Sequence, residues 1–169
     1  INNLTINRPV TTKYTGFFGS ISGSIISNLS LTNNNTTAKF VTGSLVGYVT
    51  TSTIDNCSVS GSVTASQAYL GGLVGYAASS NIRNSYSTAS VDSGGGSSIG
   101  GLVGYIYSTS ILNSYSVGSV EAASSQSYLG GLVGRIVGSS TVTNSFYDST
   151  TSGKSDTGKG TGKTTTQMK

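Results

Sequence analysis

The stretch Gly71-Gly72-Leu73-Val74-Gly75-Tyr76 decides the fold, because it returns along the chain at nearly constant intervals. It recurs unchanged at residues 100–105, and at residues 130–135 with arginine in the sixth position. An earlier version spans residues 43–48, and a degenerate one spans residues 15–20. The leucines of the clear copies are 28, 29 and 30 residues apart: Leu45, Leu73, Leu102 and Leu132. A fixed period between roughly 20 and 50 residues indicates a solenoid, a propeller or another repeat array.

A second landmark follows each copy of this stretch. An asparagine stands two residues after an isoleucine or valine, as in Ile82 and Asn84, and short alternating runs such as residues 58–63 come next. Alternation of apolar and polar residues is typical of strands, and the spacing of an amphipathic helix is absent from the repeats. A propeller blade needs about 40 residues, which is longer than this repeat. The sequence therefore predicts an all-β fold, a parallel β-solenoid (β-helix) of about five coils. We expect three short strands in each coil, with turns at Gly-Gly, at a Ser/Thr stretch and at the asparagine, and right-handed winding from general chirality preferences.

Stacking of equivalent residues explains which residue types are repeated. If each coil lies about 4.8 Å above the previous one, leucine, valine and isoleucine form columns inside, and asparagine lies over asparagine at a bend. We predict an inward structural ladder whose amides bond to the coils above and below, as stacked amides do in cross-β assemblies. The predicted ladder consists of Asn28, Asn56, Asn84, Asn113 and Asn144.

The composition argues against most catalytic machinery. In 169 residues the chain has no histidine, no tryptophan, one cysteine and five carboxylate side chains. It therefore lacks the residues for a histidine-based zinc site, a Ser-His-Asp triad or a Cys-His pair. We predict a protein that is not an enzyme and has neither a metal site nor a cofactor, with Cys57 as a small buried hydrophobic residue.

The positive charge is too dispersed for a nucleic-acid site. The formal net charge is +4, and residues 148–169 supply +2 of it through four lysines and two aspartates. The other cationic residues are spread over residues 1–147 and form no stripe that could follow phosphates. No apolar run is long enough to cross a bilayer, and the start of the chain shows no signal peptide. We therefore expect neither a nucleic-acid partner nor membrane insertion.

Aromatic residues recur in register and are the candidate binding residues. The first set, called here the Tyr48 row, contains Tyr48, Tyr76 and Tyr105. The second set, called the Tyr86 row, contains Tyr86, Tyr115 and Phe146. If these side chains point outward, they form exposed ladders that can stack on sugar rings or on a partner protein. Otherwise they are cross-strand pairs that stabilise the sheets. The sequence leaves both interpretations open.

The repeats resemble a known family. Gly-Gly-Leu-Val-Gly, followed about ten residues later by Ile/Val-x-Asn-Ser/Cys-Tyr/Ser, is similar to the GLUG motif of large bacterial surface and secreted proteins. These include adhesins and the immunoglobulin A peptidase group. The resemblance covers residues 43–147 clearly and 16–31 weakly, and residues 146–153 and 164–168 resemble the segment that commonly closes such arrays. It implies an extracellular or cell-surface location. It implies no proteolytic activity, because the metal-binding motif of the peptidase group has no counterpart in this sequence.

The chain is divided by these observations into an N-terminal segment or cap (1–15), GLUG-type solenoid repeats (16–147) and a polar closing segment (148–169). The predicted function is that of a non-catalytic segment of a bacterial surface or secreted adhesin that presents aromatic and hydroxyl ladders to a host glycan or surface protein. A structural spacer or a fibre with end-to-end self-association is the alternative, because uncapped solenoid ends expose unpaired edges. Ice binding is a further alternative, which Asp92 and Glu121 in the column of Thr64 weaken.

Overall fold

The chain winds as a parallel β-solenoid of about five coils, so the predicted fold class is confirmed. The structure is a computed structural model, and it describes residues 1–8, 12–123 and 128–169. Each coil places its strands above the equivalent strands of the previous coil, in parallel pairs such as Tyr76 with Tyr48 and Tyr105. The strands, numbered in chain order, form four sheets that are the faces of the solenoid.

The first sheet contains β1 (Thr5–Arg8), β5 (Ser30–Ala38), β9 (Ser58–Ala65), β13 (Tyr86–Ser87), β14 (Ser90–Ser93), β18 (Tyr115–Ser116), β19 (Val120–Ala122), β23 (Phe146–Asp148) and β24 (Thr161–Lys163). The second sheet contains β2 (Tyr14–Thr15), β6 (Val41–Gly43), β10 (Tyr69–Gly71), β15 (Ser98–Gly100) and β20 (Tyr128–Gly130). The third contains β3 (Phe18–Ser22), β7 (Val46–Thr50), β11 (Val74–Ala78), β16 (Val103–Tyr107) and β21 (Val133–Val137). The fourth contains β4 (Ile25–Ser27), β8 (Thr53–Asp55), β12 (Asn81–Arg83), β17 (Ser110–Leu112) and β22 (Thr141–Thr143). A short helix, α1 (Ser149–Ser152), follows the last coil.

Four faces, rather than the predicted three strands, complete a coil. The additional turn lies between the first and second sheets, for example at residues 66–68 and 94–97. Its composition differs from coil to coil, so repetition in the sequence does not mark it. Its length also changes, because residues 66–68 in one coil correspond to residues 94–97 in the next. The strands on both sides of this turn remain in register. This turn therefore accounts for the step in the repeat period from 28 to 29 residues.

Equivalent apolar residues of successive coils form one continuous core. The repeat leucines are fully buried: Leu45, Leu73, Leu102 and Leu132. On the fourth sheet, Ile82 pairs with Ile54 and Ile111, and these three side chains are also fully buried. Burial of one such side chain contributes about 1.5 to 3 kcal/mol. The core therefore grows with the number of stacked coils.

The asparagine ladder is exposed at a corner, so its predicted inward orientation is wrong. Its five members have positive φ, between 46° and 57°: Asn28, Asn56, Asn84, Asn113 and Asn144. Asparagine adopts this left-handed conformation more readily than most residues that have a Cβ. The corner therefore favours asparagine because this residue tolerates the left-handed backbone conformation. Some amides still connect coils, since Asn56 Nδ2 donates to Asn28 Oδ1 at 2.6 Å and Asn113 Nδ2 donates to Asn84 Oδ1 at 3.4 Å.

Two columns of small side chains, all buried except the half-buried Ser140, hold the corners from inside. One contains Ser52, Ser80, Thr109 and Ser140, and the other contains Cys57, Ser85, Ser114 and Ser145. Ser80 is typical, because its Oγ donates to Ala78 O at 2.6 Å and accepts the backbone N–H of Ser52 at 3.2 Å. Serine is so frequent in this chain that repetition does not single out these positions.

The second and third sheets meet at the repeated glycines. A Cβ added at Gly71 would lie 2.1 Å from Val74 O and 2.7 Å from Gly104 N. These backbones therefore approach more closely than any side chain permits, which explains why glycine recurs there.

Segments outside the repeats lie at both ends of the solenoid. At the N-terminal end, β1 pairs with β5. At the C-terminal end, β24 pairs with β23. There, Lys159 Nζ donates to Leu129 O at 2.5 Å and to Gly134 O at 3.1 Å. Carbonyl groups at the edge of the last coil are thus bonded by the closing segment.

Candidate functional site

The Tyr48 row lies on the third sheet and is half buried. Its rings pack edge to face, with centroids 5.0 Å apart for Tyr48 and Tyr76 and 4.8 Å apart for Tyr76 and Tyr105. Tyr69, from the second sheet, packs on Tyr76 at 5.5 Å and on Tyr105 at 4.7 Å. Burial raises the pKa of the Tyr76 phenol, and the neighbouring tyrosines raise it further. This row is therefore part of an aromatic cluster that joins two sheets.

Other aromatic and cationic residues extend this cluster beyond the candidates selected from the sequence. Tyr14 stacks on Tyr48 at 4.9 Å. In the last coil, Arg135 takes the register position of Tyr105, and its guanidinium carbon lies 4.4 Å from the ring centre of Tyr128. In the sequence, this position is marked by the change from Gly-Tyr to Gly-Arg in the last repeat. A guanidinium can take the place of a ring in an aromatic stack.

The Tyr86 row lies on the first sheet and is the more exposed of the two rows. Tyr86 pairs with Tyr115, and Tyr115 pairs with Phe146. Tyr86 is 36% exposed and Tyr115 is 37% exposed. Their rings are parallel within 1°, with centroids 4.8 Å apart. Burial raises the pKa of the Tyr115 phenol, and the neighbouring Tyr86 raises it further. The structure therefore places the two predicted rows on different sheets.

Hollows flank the Tyr86 row. One of about 310 Å³ lies between Tyr86 and the asparagine corner of the two preceding coils, beside Asn56 and Ser58. Another, of about 400 Å³, lies beside Tyr115 and Phe146 and is lined by the closing segment. Lys163 of that segment has its Nζ 5.9 Å from the ring centre of Phe146. The row thus offers ring faces and edges together with amide, hydroxyl and ammonium groups.

Titratable groups are few around these surfaces. Within residues 1–8, 12–123 and 128–169, no group of three or more His, Cys, Asp or Glu side chains could hold a metal ion. Cys57 is buried, and burial raises the pKa of its thiol, so the reactive thiolate is disfavoured. Asp55 pairs with Arg83 at 3.0 Å. The surfaces are therefore equipped for stacking and hydrogen bonding. No helix in the described ranges is long and apolar enough to span a bilayer.

Known proteins share the repeat unit of this chain. The GLUG motif family model matches residues 40–64, 66–92 and 95–121, and each match covers one coil. A protein of Evansella cellulosilytica, described as "Putative Gly-rich membrane protein", is 58% identical over 50 residues, which are 28% of this chain and 6% of that protein. The chain therefore spans a small part of this relative's length. No solved structure matches the chain. The resemblance found in the sequence is confirmed within residues 40–121, where three coils of the β-solenoid carry the GLUG motif.

Proposed function

We propose that this chain is a non-catalytic recognition segment of a bacterial cell-surface or secreted adhesin, and that it binds a glycan or a partner protein through the Tyr86 row. The GLUG motifs support a surface protein of the repeat type. The similarity to a protein described as a membrane protein supports a location at the cell surface.

The exposed stacking of Tyr86 on Tyr115 is the observation that carries this proposal. More than a third of each side chain is exposed, and a strand pair in register holds the two rings together. Binding to a row that is already ordered costs little additional side-chain entropy. Exposed tyrosines combine an apolar ring with a polar hydroxyl, and they are favoured anchors at binding surfaces.

We propose that the chain is not catalytic because of the side chains that it contains. The chain has no histidine. Asp148, one of its five carboxylates, is buried and accepts hydrogen bonds from Thr150 and Thr151 of α1. Stacking and hydrogen bonding are what the Tyr86 row offers a ligand.

Binding of the purified chain to immobilised glycans and matrix proteins tests the proposal. We expect saturable binding that the double variant Tyr86→Ser/Tyr115→Ser loses. Tyr107→Ser is the matched control, because Tyr107 is 45% exposed and lies on the third sheet, outside both rows. Circular dichroism verifies that each variant is folded. Undiminished binding by the folded double variant, or no binding by the folded wild-type chain, would contradict the proposal.

A structural spacer is the second candidate, and the covered C-terminal end favours it over a head-to-tail fibre. β24 pairs beyond the last coil, and Lys159 binds two edge carbonyls. Strand edges covered in this way resist pairing with another chain. At the N-terminal end, by contrast, Phe17 is 39% exposed and Ile25 is 76% exposed. A monomer in sedimentation experiments that binds nothing in the panel would support the spacer, whereas filaments would support the fibre.

Ice binding receives little support from the column that contains Thr64. In register with it lie Thr37, Asp92 and Glu121. A regular ice-binding face would need the same short side chain in each coil, and two carboxylates interrupt this column.

A further inference from the structure

We propose that the end of the Tyr86 row is a subsite for one neutral pyranose ring, formed by a face of Tyr86 and by polar side chains of the two preceding coils. The residues of this subsite are Tyr86, Ser58, Ser30, Asn56 and Asn28. The inference rests on the proposed recognition function and adds the class of ligand and its position in the row.

Tyr86 has one covered and one open ring face. On the side of the following coil, the parallel ring of Tyr115 covers it at 4.8 Å. On the side of the preceding coil, the residue in register is Ser58, and Ser30 follows in the coil before that. A serine side chain is too small to cover a phenol ring. The column therefore changes from tyrosine at Tyr86 to serine at Ser58, and this change leaves a gap, called here the step, beside the open face of the Tyr86 ring.

The step contains a hollow of suitable size for one sugar ring. Its volume is about 310 Å³, and it extends from Tyr86 to the exposed asparagine corner. A smaller hollow of about 140 Å³ lies on the other side of the same column, beside Thr32 and Ser60. The two hollows share Ser30, Ser58 and Tyr86, so a ligand on the ring face can reach polar groups on both sides.

The polar groups of the subsite are oriented by one another and keep hydrogen-bonding capacity. Ser58 Oγ donates to Ser30 Oγ at 2.9 Å, and Asn56 Nδ2 donates to Asn28 Oδ1 at 2.6 Å. In the part of the chain that the structure describes, no bond occupies the hydroxyl hydrogen of Ser30, Nδ2 of Asn28 or Oδ1 of Asn56. These atoms are two donors and one acceptor for a ligand.

The lining favours a neutral sugar over an anion or an apolar peptide. Among the residues that the structure describes, no charged side chain lines either hollow. Asp55, next to Asn56 in the chain, is already paired with Arg83 and accepts a hydrogen bond from Asn84. A pyranose has C–H groups on its ring face, which can lie on Tyr86, and hydroxyl groups around its edge, which can bond to serine and asparagine. Few polar groups converging on an apolar surface are typical of small-molecule sites.

NMR titration of the full chain, in which both glycoside and protein signals are observed, tests this subsite with the methyl β-glycosides of glucose, galactose, mannose and N-acetylglucosamine. We expect binding of at least one glycoside, with shifts of the Tyr86 ring signals. Tyr86→Ser should weaken that binding by about tenfold or more, which corresponds to about 1.4 kcal/mol. Tyr107→Ser, the exposed control outside the row, should bind as the wild type does.

Ser58→Tyr is the second variant, because it fills the step without removing a residue of the row. A tyrosine in register with Tyr86 continues the existing ladder, so the chain should fold normally. Its ring should cover the open face of Tyr86 and abolish the shifts of the Tyr86 ring signals on addition of a glycoside. Thermal unfolding verifies that the variant is folded.

The outcomes separate this inference from the proposed function. Glycoside binding that survives in Tyr86→Ser would overturn the subsite, and so would glycoside-induced shifts of the Tyr86 ring that survive in folded Ser58→Tyr. The subsite would also be overturned if the wild-type chain bound none of the glycosides but bound a protein of the panel through Tyr86 and Tyr115. In that case the recognition function would stand. A folded chain that binds neither the glycosides nor any member of the panel would overturn both.

Discussion

The buried hydroxyl of Ser80 stabilises a corner of the solenoid, although serine is common throughout the chain. It has a donor and an acceptor in the backbone of two coils, and the side chain is 3% exposed. Ser80→Ala should lower the free energy of unfolding by about 1 to 3 kcal/mol, because Ala78 O and the Ser52 N–H lose a buried partner. Ser66→Ala, at an exposed turn, should change it by less than about 0.5 kcal/mol. Urea unfolding followed by circular dichroism measures both, and equal effects would show that the hydroxyl does not hold the corner.

The approach of two strands decides how the second and third sheets meet. Gly71→Ala would place a Cβ against Val74 O and Gly104 N, both backbone atoms, so relief requires the sheets to move apart. We expect a loss of about 1 to 3 kcal/mol in the free energy of unfolding. Gly94→Ala is the matched control, since the nearest atom to its Cβ would be Ser66 Cα at 3.8 Å. That variant should be neutral or stabilising by up to about 1 kcal/mol. Similar melting temperatures for the two variants would contradict the close packing of the sheets.

The whole solenoid is closed at its C-terminal end around Asp148. Asp148 Oδ1 accepts from the backbone N–H groups of Thr150 at 2.9 Å and Thr151 at 3.0 Å, and Oδ2 accepts from Thr165 Oγ1 at 2.7 Å. Burial opposes ionisation of this carboxyl, but these hydrogen bonds outweigh burial and hold its pKa below the ordinary value. Because the pKa is lower in the folded chain, the ionised group stabilises the fold above the ordinary carboxyl pKa. This contribution is lost as the pH falls through the folded pKa.

Asp148→Asn should therefore lower the melting temperature at neutral pH and flatten its dependence on pH in the acidic range. The difference from the wild type should shrink as the pH falls below about 4, where the carboxyl of the unfolded chain is protonated. Thermal unfolding at a series of pH values measures this. Asp92→Asn, at an exposed position of the first sheet opposite Glu121, should not lower the melting temperature at neutral pH. A constant difference between Asp148→Asn and the wild type at all pH values would contradict this role of the carboxylate.

The sequence by itself determined the repeat period, the parallel stacking of coils and the register of Tyr48 with Tyr76 and of Tyr86 with Tyr115. This is because residues one period apart become direct neighbours in a solenoid, so periodicity specifies contacts. Only the tertiary structure decided which row is exposed, because packing of Tyr69 from another sheet buries part of the Tyr48 row. It also decided that the asparagines face outward, since the left-handed corner sets their direction. The open face of Tyr86 depends likewise on its neighbour in space, Ser58, which is 28 residues away in the chain and adjacent in the sheet.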